Sequence, residues 1–298
     1  MLTRFHSDLA KRFREDLLLS GKQPSTIACY RNAIAHLAEH FACSPEKLSE
    51  AQVRQYVLLR RQQLQLGSMR PIVGALKFFF RVTVPRDWPT LQAVRLPKSN
   101  TLPKVLVPER CWQLIDATVA PHLQVIFRAM YSCGLRGVDV RHLRPQDVDA
   151  DRMMLRVCTT KGHRQREVPL PQATLDAFRA HWATHRNPNW LFPATQRNTP
   201  ASKADQPISA KTIQRGFTKV TESLGWQDSG LTPHTLRHSY ATAMLDAGVS
   251  LKVLQGYLGH KNLQATEVYL HLTRLGDERG RQIVAQIMNG DVAEQGLS

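Results

Sequence analysis

Hydrophobic residues recur at helical spacing along most of this chain, and the pattern predicts a mainly helical protein. Four such segments precede residue 86, and Ser49 is a suitable N-cap for the third of them. The second is expected to begin at its Ser-Thr pair. The segments read FHSDLAKRFREDLLLS, STIACYRNAIAHLAEHF, SEAQVRQYVLLRRQQLQL and MRPIVGALKFFFRV. They predict an all-helical first domain.

The later part of the chain combines helical segments with one short change of period. MMLRVCTT and REVPLP are strand-like runs on either side of KGHRQ, a polar connection typical of a hairpin. The helical segments around them are PERCWQLIDATV, HLQVIFRAMYSCG, PQATLDAFRAHWATH, KTIQRGFTKVTESLG, HTLRHSYATAMLDAG and SLKVLQGYLG. The expected fold class is therefore mainly α with a small antiparallel β-sheet.

Prolines concentrate between the two parts of the chain. Five of them lie within 24 residues, at Pro85, Pro89, Pro97, Pro103 and Pro108. Because proline interrupts helices and favours extended backbone, this stretch predicts an interdomain linker. The expected division is a helical domain at 1–85, a linker at 86–105 and a second domain at 106–290.

The net charge indicates a polyanionic partner. The chain carries 40 Lys and Arg against 24 Asp and Glu, a formal charge of +16. Half of that surplus falls in residues 51–100, where Asp87 is the one acid. A solvated helix face is the ordinary explanation of such a run, but the bias of the whole chain favours a nucleic-acid surface. The candidate DNA-binding residues are Arg54, Arg60, Arg61, Arg70, Lys77 and Arg81.

Several classes of protein are excluded by what the sequence lacks. No run of eighteen apolar residues could cross a membrane, and the charged N-terminus has no apolar signal core. Five scattered cysteines without a CxxC pair argue against a disulfide scaffold or a zinc finger. No acidic cluster of the kind that holds magnesium is present, so neither metal nor cofactor is expected. The expected location is the cytoplasm, in association with the nucleoid.

Four local patterns carry residue types suited to chemistry on a phosphate. Arginine binds phosphate in a bidentate manner, and a nearby acid can hold its guanidinium in place. A His and an Arg three residues apart share one helix face, and a helix N-terminus attracts anions. Taken singly, each pattern has an ordinary explanation, such as a surface ion pair, a solvated lysine, a helix cap or a packed tyrosine. The patterns are Arg136 with Asp139, Lys161 on the hairpin, His234 with Arg237, and His260 followed by Tyr269.

Together and in this order, the patterns resemble the tyrosine recombinase (phage integrase) family. The matching segments are YSCGLRGVDVRHLRPQDVD, TTKGHRQREVPL and LTPHTLRHSYATAMLDAGVSLKVLQGYLGHKNLQATEVYLHLT. The resemblance is strong from residue 106 to about 275. It is looser in the first domain, whose four-helix pattern is similar to the family's core-binding (SAM-like) domain. The compact two-domain length is similar to that of Xer-type and simple mobile-element recombinases.

The resemblance implies a site-specific recombinase or integrase that cuts and rejoins DNA through a 3′-phosphotyrosyl intermediate. Tyr269 would be the nucleophile, with Tyr257 the nearest substitute. Arg136, Arg237 and His260 would stabilise the phosphorane. His234 would accept the phenolic proton, and Lys161 would protonate the leaving oxygen. Asp139 would support the site. His238 is assigned a structural role, since it lies about 100° round the helix from Arg237.

The resemblance also implies partners. Double-stranded DNA at specific recombination sites would be the substrate, and a homotetramer would form on paired sites through the C-terminal segment ERGRQIVAQIMNG, whose apolar residues recur at helical spacing. Three alternatives stay open: a type IB topoisomerase, a catalytically silent DNA-binding relative and a basic RNA-binding protein. Chromosome-dimer resolution, mobile-element integration and transposon-associated recombination are equally open.

Overall fold

The computed structural model describes residues 7–97, 102–158, 165–194 and 199–272. The chain divides into two compact units, residues 1–101 and residues 102–298, each with its own hydrophobic core. Within the described ranges, no helix is both long enough and apolar enough to cross a bilayer. Helices dominate both units, and a small antiparallel sheet lies in the second. The expected fold class is confirmed.

The first unit is a bundle of helices around aromatic and aliphatic side chains. Its helices are α1 (Ser7–Leu19), α2 (Pro24–Phe41), α3 (Glu50–Gln63), α4 (Leu66–Phe78) and α5 (Pro89–Ala93). A π-helical turn, Phe79–Thr83, continues α4. The ring of Phe13 on α1 packs edge-on against Phe79 at 5.2 Å. Both side chains are fully buried, so this contact joins the first helix to the end of the fourth.

The helix starts in this unit follow the capping chemistry of the sequence. Ser49 accepts a hydrogen bond from the Gln52 N–H at 3.3 Å, and the Gln52 side-chain oxygen accepts one from the Ser49 N–H at 2.9 Å. This capping box confirms the predicted start of α3. The predicted start of α2 is wrong. That helix begins at Pro24 after Gln23, because the fixed φ of proline suits the first helical position.

Part of the proline-rich stretch packs on the first unit. Leu91 of α5 is buried in its core, and Trp88 lies against Phe80 with ring centroids 4.5 Å apart. Val94 and Leu96 add partly buried contacts to the same core. The division at residues 86–105 stays a prediction.

The second unit surrounds helix α7 (Pro121–Ser132), which packs against four other helices. The ring of Phe127 on α7 meets Phe217 edge-on at 5.5 Å, and both rings are fully buried. The predicted helical segments in this unit are confirmed. Its remaining helices are α6 (Pro108–Asp116), α8 (Gly137–Arg141), α9 (Gln172–Ala183), α10 (Ala210–Ser223), α11 (Pro233–Asp246), α12 (Leu251–Leu258) and α13 (Gln264–Glu267).

The sheet of the second unit has the strand order β1-β2-β3 and is antiparallel throughout. Its strands are β1 (Val148–Asp149), β2 (Met154–Cys158) and β3 (Gln165–Pro169). Leu155 pairs with Val168, and both side chains are fully buried. The predicted hairpin strands are confirmed as β2 and β3. Strand β1 was not predicted, because two residues are too few to show an alternating pattern.

A glycine turn connects α7 to α8. Gly134 has a φ of +60°, and a Cβ built there would lie 2.4 Å from the ring of Tyr240, which is buried on α11. Both the left-handed backbone and the close approach of the ring require glycine at this position. The turn therefore fixes the distance between the start of α8 and the body of α11.

We predict that Gly134→Ala lowers the free energy of unfolding by about 3 kcal/mol, because it combines backbone strain with overpacking. Gly137→Ala is the matched control three residues away. A Cβ there meets nothing within 4 Å, so its effect should stay within about 1 kcal/mol. Urea unfolding of both variants measures the difference. Equal stabilities would contradict the role of the turn.

Candidate active site

Arg136 stands at the N-cap of α8, directly after the turn at Gly134 and Leu135. Its backbone N–H donates to Asp139 Oδ2 at 3.1 Å, so the carboxylate caps the start of the helix. The side chain of Arg136 is 28% exposed. Partial burial lowers its pKa below the ordinary arginine value, and Asp139 opposes that change. Its guanidinium therefore reaches the surface from a fixed backbone position.

Asp139 was expected to hold the guanidinium of Arg136, and the structure gives it a second, closer partner. Arg166 of β3 donates from Nη2 to Asp139 Oδ2 at 2.6 Å, whereas Arg136 Nη1 lies 3.9 Å from the same oxygen. The side chains of Arg166 and Asp139 are 8% and 2% exposed. Arg166 Nε also donates to the carbonyl of Tyr257 at 2.8 Å. This buried ion pair thus connects α8, the hairpin and the end of α12.

Sequence reasoning missed Arg166. Arg166 and Val168 are two residues apart on β3, so both side chains point to the interior face of the sheet. A charged residue on that face must be paired, and this was the available signal. The Arg166 side chain also explains why residue 259 is a glycine, because a Cβ there would lie 2.8 Å from Arg166 Cδ.

Arg237 of α11 is the largest fully buried side chain of the described part of the chain. Its Nη1 donates to the carbonyl of Gly134 at 2.5 Å, and its Nη2 donates to the carbonyl of Leu258 at 2.6 Å. Burial lowers its pKa to about 9, and the nearby charges of Arg136 and Arg166 add to that effect. The guanidinium therefore joins the α7–α8 turn to the end of α12.

His260 follows the left-handed Gly259 that ends α12. Its Nε2 lies 3.2 Å from Arg237 Nη2, and its Nδ1 lies 2.8 Å from the Thr266 hydroxyl. Burial and the neighbouring arginines lower its pKa to about 4, so the ring is neutral at pH 7. Two hydrogen bonds hold this imidazole beside Arg237.

Tyr269 lies between α13 and the 3₁₀ turn Leu270–Leu272. Its ring is stacked nearly parallel to that of His260, at 6.4 Å and 13°, and the residue is only 3% exposed. Two opposite effects act on the pKa of its phenol. Arg237 and Arg136 lower the pKa of the phenol, but burial outweighs them and the net pKa is raised.

The hydrogen-bond partner of the Tyr269 phenol is His238. Its Nδ1 lies 2.8 Å from Tyr269 Oη. His238 was expected to have a structural role, and this contact with the candidate nucleophile was not predicted. The signal was its spacing from His234, not from Arg237. Residues four apart on a helix lie only about 40° apart, and the two imidazoles meet edge-on at 4.7 Å. His234 itself is exposed, and its pKa is lowered by partial desolvation and by Arg237.

The electrostatic balance of this group favours an anion. Arg136, Arg166 and Arg237 surround one carboxylate, that of Asp139, and each of these arginines lowers the pKa of His260. Uncompensated positive charge in a partly buried place gains most from an oxyanion such as phosphate. Within the described residues, no group of three His, Cys, Asp or Glu is arranged to hold a metal ion.

Two predicted features lie outside the described residues. Lys161 belongs to the connection between β2 and β3, of which residues 159–164 are not described. The apolar C-terminal segment lies beyond residue 272. Both assignments stay predictions.

The candidate DNA-binding residues lie on α3, α4 and the π-helical turn of the first unit. Arg54 and Arg61 are exposed and seven residues apart, so they share one face of α3. Lys77 donates to the carbonyl of Val94 at 2.8 Å, and Arg70 donates to that of Pro97 at 3.3 Å. Arg60 lies over the ring of Tyr56 at 6.0 Å, and Arg81 is exposed. Arg54, Arg61, Arg70 and Arg81 are the exposed cations of this set, and Arg70 among them is engaged by a backbone carbonyl.

Comparisons with known proteins identify the family of both units. Residues 104–275 match the phage integrase family, and residues 9–90 match its N-terminal SAM-like domain. The chain is 31% identical over 267 residues to a putative integrase/recombinase of Sinorhizobium fredii, y4qK, covering 89% of this chain and 84% of that protein. It is 30% identical over 284 residues to the tyrosine recombinase XerA of Thermococcus onnurineus, covering 93% and 96%.

Solved structures share the fold. A lambda integrase fragment, crystallised as a dimer bound to a COC′ core site, gives a TM-score of 0.68 at 18% identity and covers 89% of this chain and 94% of that one. The Tn1549 transposon integrase in complex with a circular intermediate DNA gives 0.67 at 16% identity, covering 88% and 94%.

We predict that Arg166→Ala destabilises the protein by about 3–5 kcal/mol, because it leaves the Asp139 carboxylate buried without its closest cation. Arg152→Ala is the matched control, in the turn between β1 and β2. Arg152 pairs with Glu167 at 2.9 Å, but their side chains are 58% and 39% exposed, so solvent screens the pair and its loss should cost far less than the loss of Arg166. Chemical unfolding measures both values. A small loss for Arg166→Ala would show that Asp139 does not depend on this pair.

Proposed function

Because the chain belongs to the phage integrase family and is a tyrosine recombinase that breaks and rejoins DNA, we propose that Tyr269 is its nucleophile. The observation that carries this proposal is the position of Tyr269: its phenol is hydrogen-bonded to His238, and its ring lies beside that of His260, which in turn contacts Arg237. The substrate is double-stranded DNA at specific recombination sites. Neither a metal nor a cofactor has a place in the steps proposed below.

The reaction consists of two reversible transesterifications. Tyr269 Oη bonds to the scissile phosphorus while the bond from phosphorus to the 5′-oxygen breaks, which gives a 3′-phosphotyrosyl link and a free 5′-hydroxyl. A 5′-hydroxyl of the partner strand then attacks the same phosphorus and releases the tyrosine. The covalent link conserves the energy of the phosphodiester, so no nucleotide hydrolysis is needed.

The cations of the site supply the electrostatic part of catalysis. Charge develops on the non-bridging oxygens of the phosphorane, and preorganised donors stabilise it best when they are already fixed. Arg136 approaches from the exposed side, and Arg237 and His260 are held by the contacts described above. Lys161 is proposed as the acid that protonates the leaving 5′-oxygen, on the basis of its position in the sequence between β2 and β3.

Relatives named as integrases and recombinases favour recombination at specific sites over general DNA relaxation. A type IB topoisomerase activity would relax any supercoiled plasmid, whereas the proposed enzyme acts only on plasmids that carry its site. Sequencing of the DNA ends attached to Tyr269 would identify that site. Since the substrate is genomic or mobile-element DNA, we place the protein in the cytoplasm, on the nucleoid.

We predict that Tyr269→Phe binds target DNA with wild-type affinity and forms no covalent product. Phenylalanine keeps the buried ring and removes only the oxygen. Tyr257→Phe is the matched control and should still form the covalent complex. Gel analysis of denatured protein–DNA complexes measures both. Covalent product from Tyr269→Phe would assign the nucleophile elsewhere.

We predict that the exposed pair on α3 contacts the DNA backbone. Each phosphate contact contributes about 0.9 to the slope of log affinity against log salt, so Arg54→Ala with Arg61→Ala should reduce that slope by about two. Arg12→Ala with Arg14→Ala removes the same charge from α1, and both residues are exposed. If both double variants lowered the salt slope equally, the change would reflect net charge alone, and the predicted contact of α3 with the DNA backbone would be wrong.

We further propose a homotetramer on paired sites, formed through the C-terminal segment. Its apolar residues Ile283, Val284, Ile287 and Met288 recur at helical spacing, and a head-to-tail contact repeated around two duplexes closes into a ring.

Truncation after Thr273 tests this assembly. The shortened protein should bind a single site as the full chain does, yet fail to pair two sites or exchange their strands. Gel-shift titration and a two-site recombination assay measure the two properties. Recombination at the full-length rate would overturn the proposal.

A further inference from the structure

His238 makes the one hydrogen bond that the described structure gives to the Tyr269 phenol. The Nδ1–Oη distance is 2.8 Å, and the ring centroids are 5.6 Å apart. The tyrosine is 3% exposed, so its hydroxyl has little access to bulk water. A phenol has an ordinary pKa of about 10 and needs a partner to lose its proton at neutral pH. The position of that partner is occupied by His238.

The other groups of the site are less suited to accept this proton. Arg136 and Arg237 are cations without an acceptor atom. Both nitrogens of His260 already have partners, Arg237 on one side and the Thr266 hydroxyl on the other. His234 contacts the edge of the His238 ring. Within the described residues, geometry therefore singles out His238.

The surroundings of His238 keep it in the form that accepts. The groups that face it are His234 and Arg237 on its own helix, and Tyr269 and His260 from the segments after α12. Burial, with the charges of His234 and Arg237, lowers its pKa to about 4. The imidazole is therefore neutral at pH 7, and with its proton on Nε2 the Nδ1 atom is a free acceptor.

We propose that His238 is a catalytic residue, the general base that takes the phenolic proton of Tyr269 during strand cleavage and returns it during rejoining. This inference rests on the proposed function, in which Tyr269 is the nucleophile. In cleavage, the O–H bond of Tyr269 breaks, its proton moves to Nδ1, and its electron pair forms the new bond to phosphorus. In rejoining, the phenolic oxygen leaves phosphorus and recovers that proton. The cycle needs no outside oxidant, reductant or proton donor at this position.

The test uses the full chain and a nicked duplex that the wild-type protein cleaves, so that the short 5′-hydroxyl product is lost and covalent complex accumulates. His238→Gln keeps a polar side chain that can contact the phenol but cannot take its proton. DNA affinity should be unchanged, and the single-turnover cleavage rate at pH 7 should fall about 10²- to 10⁴-fold. His271→Gln is the matched control: it removes an exposed histidine two residues from Tyr269 and should cleave at the wild-type rate.

The pH profile separates a base from a residue that merely positions the tyrosine. The wild-type rate should be nearly constant from pH 6 to pH 9, since a base with a pKa of about 4 stays neutral across that range. The rate of His238→Gln should rise about tenfold per pH unit, because cleavage then depends on prior loss of the phenolic proton. A variant rate that is reduced but parallel to the wild-type profile would overturn the proposal, as would an unchanged rate.

A second substrate distinguishes the base from the leaving-group acid. In a duplex with sulfur in place of the bridging 5′-oxygen, the leaving thiolate needs no proton. This substrate should leave His238→Gln as slow as before, and restored cleavage would overturn the assignment. Measuring Tyr269→Phe in the same assay separates the proposal that Tyr269 is the nucleophile from the proposal that His238 is the base. Covalent product from that variant would reject the proposed nucleophile, whereas its absence together with full activity of His238→Gln would reject only the base.

Discussion

The site depends on one buried cation. Arg237 gives up almost all contact with water and gains in exchange two backbone carbonyls, one from the turn before α8 and one from the end of α12. Neither acceptor is a carboxylate, so its charge is solvated but not neutralised. A buried charge in that condition is costly, and its lowered pKa expresses the cost. The fold tolerates the cost because the same guanidinium holds two separate segments in register.

Burial is the main reason why the histidines are neutral, and the uncompensated arginine charge adds to its effect on their pKa values. Arg237 and Arg136 surround His260 and His234, and a positive neighbour discourages protonation of an imidazole. Neutral histidines can donate from one nitrogen and accept at the other. Burial and the arginine charges together therefore leave neutral rings that can move protons beside cations that attract phosphate.

The sequence predicted most of the secondary-structure elements and the order of the motif residues along the chain. Helical periodicity located the helices of both units, and Ser49 marked the start of α3 through a cap that the structure contains. The motifs identified Arg237, His260 and Tyr269, which the fold brings into contact. Local spacing could not show Arg166, whose partner Asp139 lies 27 residues earlier, or the balance between burial and charge at the Tyr269 phenol. Those depend on how distant segments pack, and the role of Lys161 remains a prediction from its motif.

Gly259 shows how strictly the hairpin and α12 are matched. The absence of a side chain at this residue creates the space for the Arg166 guanidinium, which in turn reaches the Tyr257 carbonyl and the Asp139 carboxylate. A hairpin taken from another recombinase would fit here only if its arginine came with it and if the recipient kept both the glycine and the aspartate. The three positions are thus constrained to vary together. In a chimeric enzyme they form the smallest set of residues that must be exchanged as a block.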